Sequence, residues 1–499
     1  MSAKDLKKGV AKGEVSTADL LEVIGRLEGK LARLEAENRR LRKRLEQYEP
    51  VAAPTPEAEA DPTDYSLASE EKRRTRRRAK PARRGRRRTA AKLEAAQVWE
   101  DVYPPGAAPK DCVLARQRVA WRILEGRAVL VGYRVYRRRG SPKVPRVPGL
   151  LPRAEYGVEV MVVLAFLTCT MRVSLDQACA LLKFFCDLPI AKSQANALLN
   201  QLARHWEPEF ETLCELIALA MVVYMDETSW SVGAEKSSLW VFLTALHSLY
   251  TFGCSKDDAT LDRILPADVF RGTGVSDDAA VYHERFDRGQ KCWAHLLRKL
   301  IALTLLYPEK TLYRTFLDEV YALFQQAKRH QRDGRLSPAG RERKAAELSA
   351  ALLALCQRFE QQWLNPRTPD EHKFTNLVLE LLKIDGHEEL FTFVRYPEVE
   401  ATNNAAEQAL RGAAADRKLG RTSKTAAGAH RRSVLVSVLE SLRKNLASFT
   451  LANVVAEVRR WLQTGVSLFR QQLEELKAKL SAESAQTPAT AGTNCPRRE

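Results

Sequence analysis

Asp226, Asp277 and Glu407 are the residues whose type and setting could do chemistry. The apolar run from Ile217 to Met225 stops at Asp226-Glu227, and the short β-prone stretch TGVS stops at Asp277-Asp278. A carboxylate at the end of a buried strand is costly to desolvate unless something pairs it. Two such carboxylates facing each other repel, and the pair stays ionised most readily with divalent cations between them. A third acid comes from TNNAAEQALRGAAADRKLG. There Asn403 and Asn404 can start or cap a helix, with Glu407 in its first turn. Arg411 shares a face with Glu407 four residues on, and Arg417 and Lys418 follow. One acid at the site and several basic groups beyond it suit metal plus phosphate, and a third carboxylate completes two-metal coordination.

The elements that must position these acids can be read around them. SSLWVFLTALHS and LYTFGCS read as a second and third strand, DDATLDRILPADV as a helix and TGVS as a fourth strand. Three strands, a helix, then a fourth strand beside the first is the order of a ribonuclease H-like core. It sets the ends of the first and fourth strands side by side, with Asp226 and Asp277 facing. Other acids compete. Asp278 neighbours Asp277, Glu398 and Glu400 precede the Asn pair, and Glu227 would face away from Asp226 as a surface or secondary acid. Cys292 and His295 have a C-x-x-H spacing, but no second pair lies nearby and zinc needs three or four ligands. Cys292 and Trp293 therefore read as buried structure, and His295 as the start of a helix near the site, where it could orient a phosphate or an acid. Arg298 and Lys299 open a basic helix that could contact phosphates. Trp230 and Tyr282 suit either core packing or stacking on an unpaired base.

The 499 residues carry a formal net charge of +18, spread along the chain, which favours phosphate backbones or anionic membranes. The longest apolar run, Val158 to Thr170, is too short to span a bilayer, and the start MSAKDLKKG is polar, so nucleic acid is the better partner. Nine cysteines without a C-x-x-C pair point to reduced thiols and a cytoplasmic setting. Residues 1–48 hold a heptad seam: Leu20, Leu27, Leu34 and Leu41 at one position, Ile24, Leu31, Asn38 and Leu45 at the other. That spacing predicts a parallel coiled coil, hence a homodimer or higher oligomer, with Asn38 fixing register. Residues 49–95 read as a disordered linker with a basic arm. Twelve basic residues lie between Lys72 and Arg88, among them Arg73, Arg74, Arg76, Arg77, Arg78, Arg83, Arg84, Arg86, Arg87 and Arg88. Such an arm condenses on phosphates without reading base sequence. Residues 96–155 form a small ambiguous region with one or two strands. Residues 156–219 are helical and compatible with a helix-turn-helix or with two core helices. Residues 220–300 hold the first part of the catalytic core, 301–396 a helical insertion, 397–480 the last catalytic helix and closing helices, and 481–499 a disordered tail. The expected fold is thus an α/β ribonuclease H-like core with a large helical insertion, preceded by a coiled coil and basic linker and flanked by helices.

The boxes MDETSW, SDDAAVYHERFDRGQKCWAHLLRKL and TNNAAEQALRGAAADRKLG, in that order, resemble the three catalytic blocks of the insertion-sequence-66 transposase family, over roughly residues 145–460. The resemblance implies a DDE-type transposase acting on double-stranded DNA. Asp226, Asp277 and Glu407 would serve as catalytic acids and metal ligands, supported by His295, Arg411, Asn403 and Asn404. It implies two Mg²⁺ per site, with Mn²⁺ as substitute. Water would attack at each transposon end to free a 3′-OH, which then attacks target DNA. It also implies a bacterial cytoplasmic protein at the nucleoid, with room for accessory proteins of the same element and no membrane role. Many members carry a Cys-rich zinc module before the core. Here only Cys112 lies in that region, which puts a structural zinc in doubt. An inactive DNA-binding relative and a structure-specific nuclease remain the alternatives.

Overall fold

The computed structural model describes residues 87–486. The heptad seam, the arginine run before Arg87 and residues 487–499 lie outside the described residues. Arg87 and Arg88 open helix α1 (Arg87–Glu94), so the basic run ends in a helix and not within a linker.

Residues 96–155 form a three-stranded sheet, a more regular structure than the one or two strands expected. β1 (Val98–Val102) pairs in parallel with β3 (Arg127–Arg138), and β2 (Cys112–Leu124) pairs with β3 on its other edge in antiparallel. Alternation along β3 explains it. Val131, Tyr133 and Val135 are buried and share a small core with Ala120, Val147 and Leu150. The β2–β3 hairpin turns on Glu125 and Gly126, both at positive φ, as a two-residue turn matched to strand twist requires.

This sheet is fastened to the rest through a buried ion pair. Helix α2 (Val158–Ala165) is almost wholly buried, and its Glu159 accepts hydrogen bonds from Arg122 on β2, the closer at 2.5 Å. The Arg122 guanidinium also donates to the Tyr133 hydroxyl at 2.6 Å, and Arg459 approaches Glu159 at 3.6 Å.

After a π-turn, helices α3 (Leu175–Cys186) and α4 (Lys192–Ala218) give the helix, turn, helix expected. Ser174 and Gln177 close a capping box at the start of α3. The inward face of α4, with Leu198, Leu202, Trp206 and Leu213, lies in the main core.

The second sheet carries the acids. β4 (Val222–Val232), β5 (Glu235–Leu243) and β6 (Ser248–Cys254) form an antiparallel meander. Helix α5 (Asp258–Ile264) follows, then β7 (Thr273–Ser276) and β8 (Arg288–Lys291). The spatial order is β6-β5-β4-β7-β8, with β7 parallel to β4 and β8 parallel to β7. The expected fourth strand therefore does lie beside the first. The expected first strand runs on beyond its acid. Ile217 belongs to α4, and β4 continues past Asp226 to Val232, because Thr228 to Val232 pair with β5. The apolar run is split between a helix end and a strand, which apolarity alone does not separate.

Helix α6 (Trp293–Leu306) follows β8. Helices α7 (Thr311–Arg332), α8 (Pro338–Arg358) and α9 (Pro369–Gly386) then build a second core around Trp293, Phe316, Leu352 and Phe374. The chain returns through α10 (Asn404–Lys418), α11 (Ala426–Asn445), α12 (Leu451–Thr464) and α13 (Leu468–Gln486).

The edge strand β6 is closed by serines. On α11, Ser433, Ser437 and Ser441 recur every four residues and so share one face. Their hydroxyls accept from the backbone N–H of Phe252, Tyr250 and Ser248 at 2.9, 2.8 and 3.0 Å. A helix thus satisfies the ladder groups that an edge strand otherwise leaves open. Ser437→Ala is expected to leave a buried N–H unpaired and lower stability by about 1–3 kcal/mol. Urea unfolding measures this, and a change under about 0.5 kcal/mol, the range of ordinary surface substitutions, would contradict the serine ladder.

Candidate active site

Asp226 and Asp277 meet because β4 and β7 run in parallel. The register pairs Val222 with Thr273, Val223 with Gly274 and Tyr224 with Val275, so the next positions along bring Asp226 level with Asp277. Asp277 follows the last residue of β7, and its carboxylate accepts from the Ala279 N–H at 3.0 Å, which fixes its rotamer. Asp226 accepts from the N–H of Glu227 at 2.8 Å. Burial first, then the negative charges of Asp277, Glu227 and Glu407, push the Asp226 carboxyl up to about 7. Neither Asp226 nor Asp277 has an ion-pair partner among the described residues.

Glu407 enters from α10. Asn403 precedes that helix and is fully buried, yet its side chain does not cap it as expected. It reaches the sheet instead, donating from Nδ2 to the Met225 carbonyl at 2.7 Å, one residue before Asp226. The Asn403 N–H donates to Cys292 Sγ at 3.1 Å. Asn403 therefore ties the start of α10 both to β4 and to the start of α6. Asn404 and Arg411 are exposed. The guanidinium that holds Glu407 belongs to Arg298, at 2.6 Å, and no hydrogen bond or ion pair joins Glu407 to Arg411 among the described residues. Arg298 thus serves an acid of the cluster, and Lys299 pairs with Glu380. Arg417 donates to the Thr228 hydroxyl at 3.1 Å and pins the end of α10 to β4.

Three expectations change. Glu227 points away from Asp226 but not to the surface. Its carboxylate is 5% exposed, accepts from the Tyr282 hydroxyl and pairs with Lys256. The hydrogen bond to Glu227 first, then the charges of Glu227, Asp277 and Asp226, hold the Lys256 ammonium above its ordinary value. Tyr282 and Trp230 are core residues at 0% and 1% exposure, which removes them as platforms for a base. Cys292 and His295 do find a third donor, because Glu407 converges on them from α10. The rival acids sit elsewhere. Asp278 pairs with His283 at 2.9 Å and lines a cavity of about 670 Å³ against α9, and Glu400 reaches Lys328. A buried lysine that the sequence reading passed over, Lys291, lies under Ser276 and Tyr282, hydrogen-bonded to both, and burial lowers its ammonium below the usual range. No apolar or alternating pattern in the four residues of β8 marks it as inward.

The Transposase IS66 family model matches residues 153–431, more than half of the chain, and spans all three acids. The chain belongs to that family. It is a transposase of the IS66 family, and the three sequence boxes fall within the matched segment. No curated protein matches the chain. Among the described residues, no helix of this transposase is long and apolar enough to cross a membrane.

Proposed function

We propose that this transposase cuts DNA at the ends of its element to free 3′-OH groups and joins those ends to target DNA, using Asp226, Asp277 and Glu407 with divalent metal ions. One observation carries the reading. Register sets Asp226 level with Asp277 on parallel strands of an IS66 chain, and burial first, then the charges of Asp277, Glu227 and Glu407, lift the Asp226 carboxyl to about 7. Such a surplus of negative charge fits hard divalent cations, Mg²⁺ or Mn²⁺, held by the carboxylates of Asp226, Asp277 and Glu407. When bound, paired ions of this kind stabilise the attacking and leaving oxygens of an in-line displacement. The order of the five strands and the helix that supplies Glu407 support a ribonuclease H-like core.

The chain's own part is positioning. Asn403 and Arg417 fix α10 along β4, and Arg298 orients the Glu407 carboxylate. The arginine run would add backbone contacts, and the heptads would pair two chains so that both ends are held together.

The test is cleavage and strand transfer in vitro on DNA ends flanking the gene, with Mg²⁺ or Mn²⁺, comparing wild type with Asp277→Asn. Metal-dependent joined product that the variant loses is the expected result. Binding without cleavage in either metal would move this chain to a DNA-binding role, and cleavage that prefers branched DNA without joining would make it a nuclease.

A further inference from the structure

Cys292 caps α6 and His295 lies in its first turn, so the two side chains leave the helix on one face. The start of α10 meets the same point. Cys292 Sγ, an imidazole nitrogen of His295 and a carboxylate oxygen of Glu407 all lie within 4.8 Å of one another. His295 Nδ1 is already 3.5 Å from Glu407 Oε1, yet it has no hydrogen-bond partner and is closed to solvent. The sulfur is 2% exposed as a residue and sits among backbone N–H groups of Asn403, His295 and Ala294. Burial nonetheless holds the thiol above its ordinary value, so a thiolate here needs a bound cation to keep it.

We propose that Cys292, His295 and Glu407 form a site for a borderline-soft divalent cation of the Zn²⁺ class, and that filling it withdraws Glu407 from Asp226 and Asp277. The donor set selects the cation. One sulfur, one imidazole and one carboxylate favour zinc-like ions over Mg²⁺, which takes oxygen donors. Metal–ligand bonds of about 2.0–2.3 Å in a tetrahedron put donors roughly 3.3–3.7 Å apart. The His295–Glu407 spacing already meets that, and the sulfur, within 4.8 Å of both, closes the rest by rotation of its side chain. Three protein ligands leave a fourth position for water. Coordination takes the Glu407 oxygen from Arg298, its partner here. One carboxylate thus stands between two sites of different chemistry. The binding is independent of the catalytic reading; its inhibitory consequence rests on it.

The test uses the full chain stripped of metal and titrated with Co²⁺, which reports thiolate ligation by a near-ultraviolet charge-transfer band. The band should saturate at one equivalent and disappear when Zn²⁺ is added. It should persist in Asp226→Asn, vanish in Cys292→Ser and need at least tenfold more Co²⁺ in His295→Ala. No band in wild type, or an equal band in Cys292→Ser, overturns the site. X-ray absorption of the zinc-loaded wild type needs no variant that might misfold. One sulfur neighbour at about 2.3 Å is expected, and a shell of oxygen and nitrogen alone overturns the proposal. In the Mg²⁺ cleavage assay, one equivalent of Zn²⁺ should reduce wild-type product at least tenfold and spare Cys292→Ser. Equal inhibition of both removes the coupling through Glu407. A wild type that shows the cobalt band but never cleaves would refute the proposed function and leave the metal site standing.

Discussion

Asp226→Asn is expected to abolish DNA cleavage and, without metal, to make the protein more stable at pH 8. The loss of activity should be at least about a thousandfold, roughly 4 kcal/mol of transition-state stabilisation. The gain in stability has the opposite sign because the same carboxylate is held where its charge is unwelcome. Its folded value of about 7 lies above the unfolded 3.8, through burial and then the charges of Asp277, Glu227 and Glu407. Between those values the folded state binds the proton that the unfolded state has lost, so this group's contribution to stability declines as pH rises through that window. Below pH 3.8 it contributes no penalty, and above about 7 the penalty is complete. The whole displacement corresponds to roughly 4 kcal/mol as an upper bound. Partial exposure of the carboxyl brings the expected difference at pH 8 to about 1–3 kcal/mol. Thermal unfolding in a chelator at pH 8 and pH 4 checks it: the variant should gain at pH 8 and match wild type at pH 4. Added Mg²⁺ should narrow the gap by stabilising wild type more than the variant. A variant less stable than wild type at pH 8 in chelator would mean that the acid cluster is not repulsive.

The second large effect lies far from the acids. Glu159→Gln is expected to lower stability by about 3–5 kcal/mol, the cost of leaving a buried guanidinium without its counter-charge. Arg122 and Glu159 are 6% and 4% exposed, and Arg122 has the Tyr133 hydroxyl as its other near partner. Replacing both, as Arg122→Met with Glu159→Leu, should recover most of the loss, since a well-packed apolar pair removes the desolvation penalty of both ions. Urea unfolding of the two variants separates the alternatives. If the double change costs as much as the single one, shape at this junction matters and the charge does not.

How much of this was legible beforehand depends on whether a feature is local. The two strands that lead to acids, the meander between them and the helix that brings Glu407 follow from apolar runs and breakers. Each is decided by residues a few positions apart. Which of Asp277 and Asp278 faces Asp226 was open in the sequence, because adjacent residues on an extended chain differ only in the face they take. Here one turns to Asp226 and the other to His283. Family membership was also written in the chain, through boxes of residues that keep their order.

What the sequence by itself determined, then, is the family, the order of the acidic boxes and the kind of element each stands on. Tertiary structure decided their company. Glu227 is buried only because Tyr282 and Lys256, from separate segments, close over it. Arg298 serves Glu407 across 109 residues, while Arg411, one helical turn along, does not. The serine spacing on α11 reads as an ordinary polar stripe until β6 lies beneath it. Cys292 and His295 lacked a third donor in sequence because it arrives from another helix, 115 residues after the cysteine by the difference of their numbers. The physical reason is common to all four. Charge and hydrogen-bond partners act over a few ångströms in space, and only packing decides which distant residues come that near.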